Sequence, residues 1–185
     1  MKIEDGKGKN GDASVSSVQR LNVSAKTAPR SMYAARDDGL SYSAIYDDMT
    51  ATAGDVIAYL KNNSATRNLF VGDIAMGGVE AIHWKIFSVS GTAASGATVT
   101  PASTNLSKNI PSETIAMSGD TAITGLTNIS QVSTNRSAAN SDAEEAFDGS
   151  LILGPGDAIA IEYDAGVTGL CEVDIHFHFE NLGAS

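Results

Sequence analysis

The sequence predicts an all-β protein: an antiparallel β-sandwich of jelly-roll type carrying an extended N-terminal arm. Three observations lead there. Apolar residues recur at every second position in short runs, as in Ile82, Trp84 and Ile86 or Ile175, Phe177 and Phe179. The runs are separated by Asn, Ser, Gly and Pro clusters that suit turns. No segment sustains the 3.6-residue period of a long amphipathic helix. Eight or so short strands of this kind suit two packed sheets, and the lack of a fixed-period repeat excludes a solenoid or propeller.

In chain order, residues 1 to 30 are rich in Gly, Ser, Lys and Asn, with only Ile3, Val15, Val18, Leu21 and Val23 as large aliphatics. That is too little apolar surface to offset the entropy of ordering alone, so the segment is expected to order against a partner. Leu21, Val23 and Ala25 alternate with Asn22 and Ser24, a pattern suited to adding a strand to a sheet edge. Residues 31 to 185 form the sandwich. Within it, Tyr42, Ala44 and Tyr46 mark a first strand. Asp55 to Lys61 and Asn68 to Ala75 flank the turn residues Asn62, Asn63 and Ser64, which predicts a hairpin. Ala81 to Ser90 is the strongest central strand, with Ile82, Trp84 and Ile86 on one face and His83, Lys85, Phe87 and Val89 on the other.

From Gly91 to Gly149 apolar anchors are sparse. Short or edge strands are expected at Ala97 to Thr100, Thr114 to Met117 and Leu126 to Val132, and one or two helical turns over Ser137 to Phe147. Ser150 to Leu153, the Gly-Pro-Gly turn at 154–156, Ala158 to Tyr163 and Cys171 to Phe179 complete the strands.

With 185 residues, 42% of them hydrophobic, the chain can bury a core without staples. The single cysteine, Cys171, excludes an intrachain disulfide and a multi-cysteine zinc site. No apolar run reaches the roughly 20 residues of a membrane span, and the opening MKIEDGKGKN is unlike a secretory signal, so a product of a reducing cytoplasm is expected. The net charge of −10 argues against a dedicated nucleic-acid binder. That charge is divided unequally. Residues 1 to 36 carry seven basic side chains against three acidic ones, a net of +4, which leaves −14 for the remainder, and no Lys or Arg follows Arg136.

Candidate chemistry is limited. His176 and His178 share a strand face about 7 Å apart and, with His83 or a carboxylate such as Asp174 or Glu162 as a third ligand, could converge on a metal in the manner of a cupin. No Gly-rich motif supplying a further His and Glu accompanies them. Cys171 suits a small core residue better than a nucleophile. Neither a Gly-x-Ser-x-Gly elbow nor a phosphate loop occurs, and the acidic pairs Asp37–Asp38, Asp47–Asp48 and Glu144–Glu145 lack the spacing of a calcium loop. No cofactor is expected. A sandwich with a polar basic arm and no convergent catalytic set points away from enzymes and toward assembly.

Four segments carry a family resemblance: Ile3-Glu4-Asp5-Gly6-Lys7-Gly8, Arg20-Leu21-x-Val23, Tyr59-Leu60-Lys61-Asn62, and Leu153-Gly154-Pro155-Gly156-Asp157-Ala158-Ile159-Ala160-Ile161. In these the chain resembles small virion structural proteins of tailed bacteriophages. The resemblance implies a non-enzymatic capsid decoration, cement or head-fibre subunit, located on the virion and made in the host cytoplasm. Its expected partners are the major capsid protein or other virion proteins and further copies of itself, a trimer being favoured, with neither a membrane nor a specific nucleic acid. Ile3, Asp5, Gly6, Arg20, Leu21 and Val23 are the expected assembly residues of the arm. Two alternatives stay open: a receptor- or carbohydrate-binding tip built on the Ser/Thr/Asn-rich loops of residues 91 to 140, and the cupin-like metal protein using His83, His176 and His178.

Overall fold

The computed structural model describes residues 14–15, 21–22, 32, 34–119 and 122–182. Two short strands, β1 (Ser14–Val15) and β2 (Leu21–Asn22), pair antiparallel with Ser14 opposite Asn22. Leu21 thus falls on a strand, whereas Ile3, Asp5, Gly6, Arg20 and Val23 lie outside the described residues. A π-helical turn, Ala34–Asp38, then leads into the sandwich.

Eight long strands build the body: β3 (Ser41–Ala51), β4 (Asp55–Asn62), β5 (Arg67–Gly78) and β6 (Ile82–Gly91), then β10 (Leu126–Ser137), β11 (Ser141–Leu153), β12 (Ala158–Asp164) and β13 (Gly169–Asn181). Between the two sets of four come the shorter β7 (Ala97–Val99), β8 (Ala102–Ser103) and β9 (Thr114–Ser118). One sheet has the order β11-β5-β13-β3-β8 and the other β10-β6-β12-β4-β9-β7, all antiparallel.

The topology has a simple origin. The first half of the body folds back on the second in one continuous register, with Leu126 opposite Gly91, Ser141 opposite Gly78, Ala158 opposite Lys61 and Gly169 opposite Ala51. That long double strand is wound so that successive pairs fall in alternate sheets, which is the jelly roll the sequence predicts.

Alternation decides which side chains fill the space between the sheets. Tyr42, Ala44 and Tyr46 from β3, Ile82, Trp84 and Ile86 from β6, Ile159, Ile161 and Tyr163 from β12, and Ile175, Phe177 and Phe179 from β13 are all buried there. Tyr42, Phe177 and Phe179 form an aromatic cluster, with Tyr42 stacked on Phe177 at 5.5 Å and edge-on to Phe179 at 6.0 Å. Each fully buried large side chain contributes about 1.5–3 kcal/mol of apolar transfer. Polar atoms inside the core are paired: the Tyr46 hydroxyl donates to the Tyr59 carbonyl at 3.0 Å, and Trp84 Nε1 donates to Ser137 Oγ at 2.9 Å.

A second, smaller cluster lies on the outer face of the six-stranded sheet. Tyr59, Phe87, Val89, Ala158 and Ala160 are covered there by Ala93, Met117, Ile123 and Leu126. The segment between β6 and β10 therefore uses its few apolar residues to cover this face, while β8 and β9 extend the sheets beside β3 and β4.

Two expectations are corrected. Asn62 to Ser64 do not close a hairpin, because β4 and β5 belong to different sheets and the turn is a corner between them. Nor does Ser137 to Phe147 form a helix; it holds the end of β10, a turn at residues 138–140 and the start of β11. Ala143, Glu144, Glu145 and Ala146 favour a helix intrinsically, but nine register pairs to β5 override that preference.

Asn62 shows why the corner is built as it is. Fully buried, it donates from Nδ2 to the carbonyls of Arg67 (2.9 Å) and Leu153 (2.8 Å), and its Oδ1 accepts from the Ser64 amide at 2.9 Å. Replacing Asn62 by Ala leaves two buried backbone groups, the Leu153 carbonyl and the Ser64 amide, and the partly buried Arg67 carbonyl without this partner, each buried one costing about 1–3 kcal/mol. Asn62→Ala is accordingly expected to lose about 3 kcal/mol or more in urea unfolding, against no more than about 0.5 kcal/mol for the exposed Thr127→Ala.

Candidate functional site on the five-stranded sheet

The outward face of the five-stranded sheet carries a groove of about 700 Å³. Its floor is low because small residues stand at outward positions, Gly72 on β5 and Ala146 on β11, and its aromatic wall is Phe70. Charge comes from Asp73, Glu144, Asp148 and His176.

Two irregularities in the pairing put these groups together. Along β5, Leu69 and Val71 point inward and so do Ile74 and Met76, so the parity changes between them. Gly72 is the extra residue: Val71 faces Phe177 and Asp73 faces His176, with nothing opposite Gly72. A Cβ on Gly72 would stand 3.4 Å from the His176 carbonyl oxygen. On β11 the register jumps between Ala146 and Leu151, and Asp148 and Gly149 take positive φ of 50° and 78° in the resulting loop. That loop carries Asp148 onto the groove wall while Phe147 packs on the core.

His176 is the centre of the charge arrangement. Its Nδ1 lies 2.7 Å from Asp73 Oδ1 and its Nε2 3.7 Å from Asp174 Oδ2, and Asp174 in turn accepts from Ser43 Oγ at 2.7 Å. Partial burial disfavours the imidazolium, but the hydrogen bond to Asp73 and the charges of Asp73, Asp174 and Glu144 outweigh it, so the pKa stands above the usual 6.5. The acids extend beyond the groove. Asp142 and Glu172 flank Gly77 in the same sheet, and the Asp142 carboxylate lies where a Cβ on Gly77 would be.

His178 is also on this face but behaves differently. It is buried, stacked on Phe70 with ring centroids 5.4 Å apart, and its Nε2 lies 3.4 Å from Glu180 Oε1. His83 belongs to the opposite sheet, where it contacts Thr134 Oγ1 at 2.6 Å and Asp164 at 3.5 Å. Beside it Lys85 bridges Glu162 (2.8 Å) and Asp164 (3.0 Å); these hydrogen bonds hold the ammonium above its ordinary pKa and the Asp164 carboxyl below its own. The fold thus brings His176 and His178 to one groove and places His83 on the other sheet. Among the described residues no group of three or more His, Cys, Asp or Glu is arranged to hold a metal ion.

The remaining candidates are distributed by the pleat. Cys171 is buried and its Sγ donates to the Met49 carbonyl at 3.6 Å. Glu144 and Glu145 face opposite ways, Glu144 to the groove and Glu145 to Ser133 Oγ (2.7 Å) and Asn135 Nδ2 (3.2 Å) between the sheets. Asp47 and Asp48 form a bulge opposite Glu172, with Asp48 at φ 52°. Phe70, Asp73 and Asp148 escaped the sequence reading. The available signal was Val71 and Ile74, two apolar residues three apart around Gly72, which break strict alternation and mark a bulge.

Because the folded pKa of His176 is raised, its protonated form stabilises the protein fully below the unfolded value and the gain is lost as pH rises through the folded value. The stability difference between the protein and His176→Gln should therefore be largest near pH ~6 and shrink by pH ~8.5 in urea unfolding. An NMR titration of the His176 ring should show a midpoint above 6.5.

Compared with protein-family models, with curated proteins and with solved structures, the chain matches none.

Proposed function

We propose that the protein is a non-catalytic structural subunit of a virion exterior, of decoration or cement type, that works as a homo-oligomer, a trimer being favoured, with the capsid or other virion proteins as its partners. The observation that carries this reading is the asymmetry of the sandwich edges. At the β3/β4 edge, β8, β9 and β7 add further strands. At the other, β10 and β11 are the last strands of their sheets, and of their residues only Ser137 and Leu153 are buried.

Natural sheets guard such edges with lysines, prolines or covering segments. β10 has no lysine or proline and one arginine, Arg136. Its two bulges fall at Ile129 and Val132, which are 65% and 39% exposed, and β11 adds Ile152 at 48%. Behind them Phe147 and Leu151 are only partly covered. An edge with no further strand beside it among the described residues, exposed aliphatics and a partly open core suits a copy of the same chain on a symmetric assembly. The charge division supports the same reading: residues 31 to 185 sum to −13 and would repel their copies, and residues 1 to 30, at +3, offset part of that repulsion. The phage resemblance of the four sequence segments supplies the virion setting.

Two measurements test this. Removing residues 1 to 30 should lower occupancy on purified particles severalfold, and raising salt from about 0.1 M to about 1 M should weaken attachment of the full chain, since the screening length falls from roughly 10 Å to roughly 3 Å. Ile129→Lys with Val132→Lys should shift the sedimenting species from oligomer to monomer while leaving the far-UV spectrum unchanged, because both side chains are at the surface of the folded body. Undiminished occupancy without the arm, together with an unchanged oligomer in the lysine variant, would overturn the assembly reading.

A further inference from the structure

We infer that the groove on the outer face of the five-stranded sheet is the dock for the basic N-terminal arm of a second copy of this chain. The inference rests on the assembly reading above and adds to it a site and an occupant.

Charge is the first argument. The groove is walled by Asp73, Glu144 and Asp148, and none of the described residues lining it is a lysine or arginine. Of the two histidines that line it, His176 is held between Asp73 and Asp174 and His178 is buried beside Glu180. Residues 1 to 30 carry Lys2, Lys7, Lys9, Arg20, Lys26 and Arg30 against three acids, in a protein whose other segments are acidic overall. Phe70 on the wall and Ala146 on the floor supply apolar surface beside the carboxylates, which suits long basic side chains whose methylene stems need cover while their heads meet carboxylates.

Position is the second argument. The chain enters the body at Ala34, whose carbonyl accepts from the Leu40 amide at 2.9 Å, and Asn105 Nδ2 holds the Ala35 carbonyl at 2.6 Å. Thr104, the neighbour of Asn105, and Ser41, the next residue after Leu40, both line the groove. The arm is thus delivered at the mouth of the groove rather than at the other sheet.

Reach selects a second copy as the owner of the bound arm. Between Asn22 at the end of β2 and Ala34 lie eleven residues, able to span about 40 Å when extended. The five strands of this sheet occupy only about 19 Å from first to last. An arm bound to its own groove would need only about half of that length and would do nothing to offset repulsion between bodies. Exchanged between copies, the same contacts join them.

Carbodiimide coupling, which links a carboxylate to a nearby lysine amine, tests the inference on the full-length chain. Labelled (15N) and unlabelled protein are mixed at about 1 M salt, returned to low salt, coupled and digested. The expected products join Lys2, Lys7, Lys9 or Lys26 to Asp73, Glu144 or Asp148, with mixed isotopes in the same peptide pair. Glu144→Lys combined with Asp148→Asn should reduce the yield of the links to Asp73, whose carboxylate is unchanged, roughly tenfold, as expected for the loss of two exposed ion pairs. Asn tolerates the positive φ at position 148, and a matching far-UV spectrum and unfolding midpoint show that the variant is folded.

Links to the groove found only in peptide pairs of a single isotope would overturn the second copy as occupant. Links to acids elsewhere, such as Glu162 or Asp164, or no links at all, would overturn the groove. If arm removal abolishes particle occupancy while the Glu144/Asp148 variant retains it in full, the groove is refuted and the assembly reading survives. Retained occupancy without the arm refutes that reading itself.

Discussion

Everything in this molecule depends on one register. Residues 41 to 91 and 126 to 181 pair antiparallel through four successive ladders, and the offset between partners barely changes from Leu126–Gly91 to Gly169–Ala51. A strand side chain points to one face or the other with a period of two, so a slip of one residue would exchange core and surface along a whole ladder. The buried sets from β3, β6, β12 and β13 hold that register from inside. Asn62 holds it at a corner, where one buried amide joins the β4 end, the β5 start and the β11 end.

The places where the register does shift are where the surface acquires character. Gly72 puts Asp73 and His176 side by side, the 147–150 loop brings Asp148 onto the groove wall, and the bulges of β10 put Ile129 and Val132 at the surface. Extra residues in one strand of a ladder cost pairing but allow a side chain to be aimed where the pleat alone would not put it. An acidic groove and an apolar edge are consequences of the same device. In the assembly we propose, the groove would act by charge and the edge by backbone pairing and aliphatic contact.

Legibility in the sequence followed burial. Where a strand is central, as in Ile82-Trp84-Ile86 or Ile159-Ile161-Tyr163, both faces are constrained and the alternation is plain. At the edge the inward positions of β11 are Ala143, Glu145 and Phe147, a mixture that shows no apolar stripe, and its Ala and Glu residues suggest a helix instead. The Asn-Asn-Ser turn after β4 has the composition of a hairpin loop. Composition does not say whether the next strand returns beside the last or crosses to the other sheet. His176 and His178 are visible as a pair, yet their environments diverge, one beside Asp73 and one under Phe70, because those two neighbours come from β5.

The sequence alone determined the class of fold, the positions of the central strands, the core identity of Trp84 and the division between a basic arm and an acidic body. These are properties of local period and of charge order along the chain, and both are written in one dimension. Only the tertiary structure decided that β4 and β5 part at a corner, that residues 141 to 153 are a strand, that His83 is separated from His176, and that Asp73 joins it. Those facts depend on which strands become neighbours, and in a jelly roll the neighbours lie as much as 137 residues apart, as Ser41 and His178 do. Pairing over such separations is fixed by the common core of both sheets, and no local window of the sequence contains it.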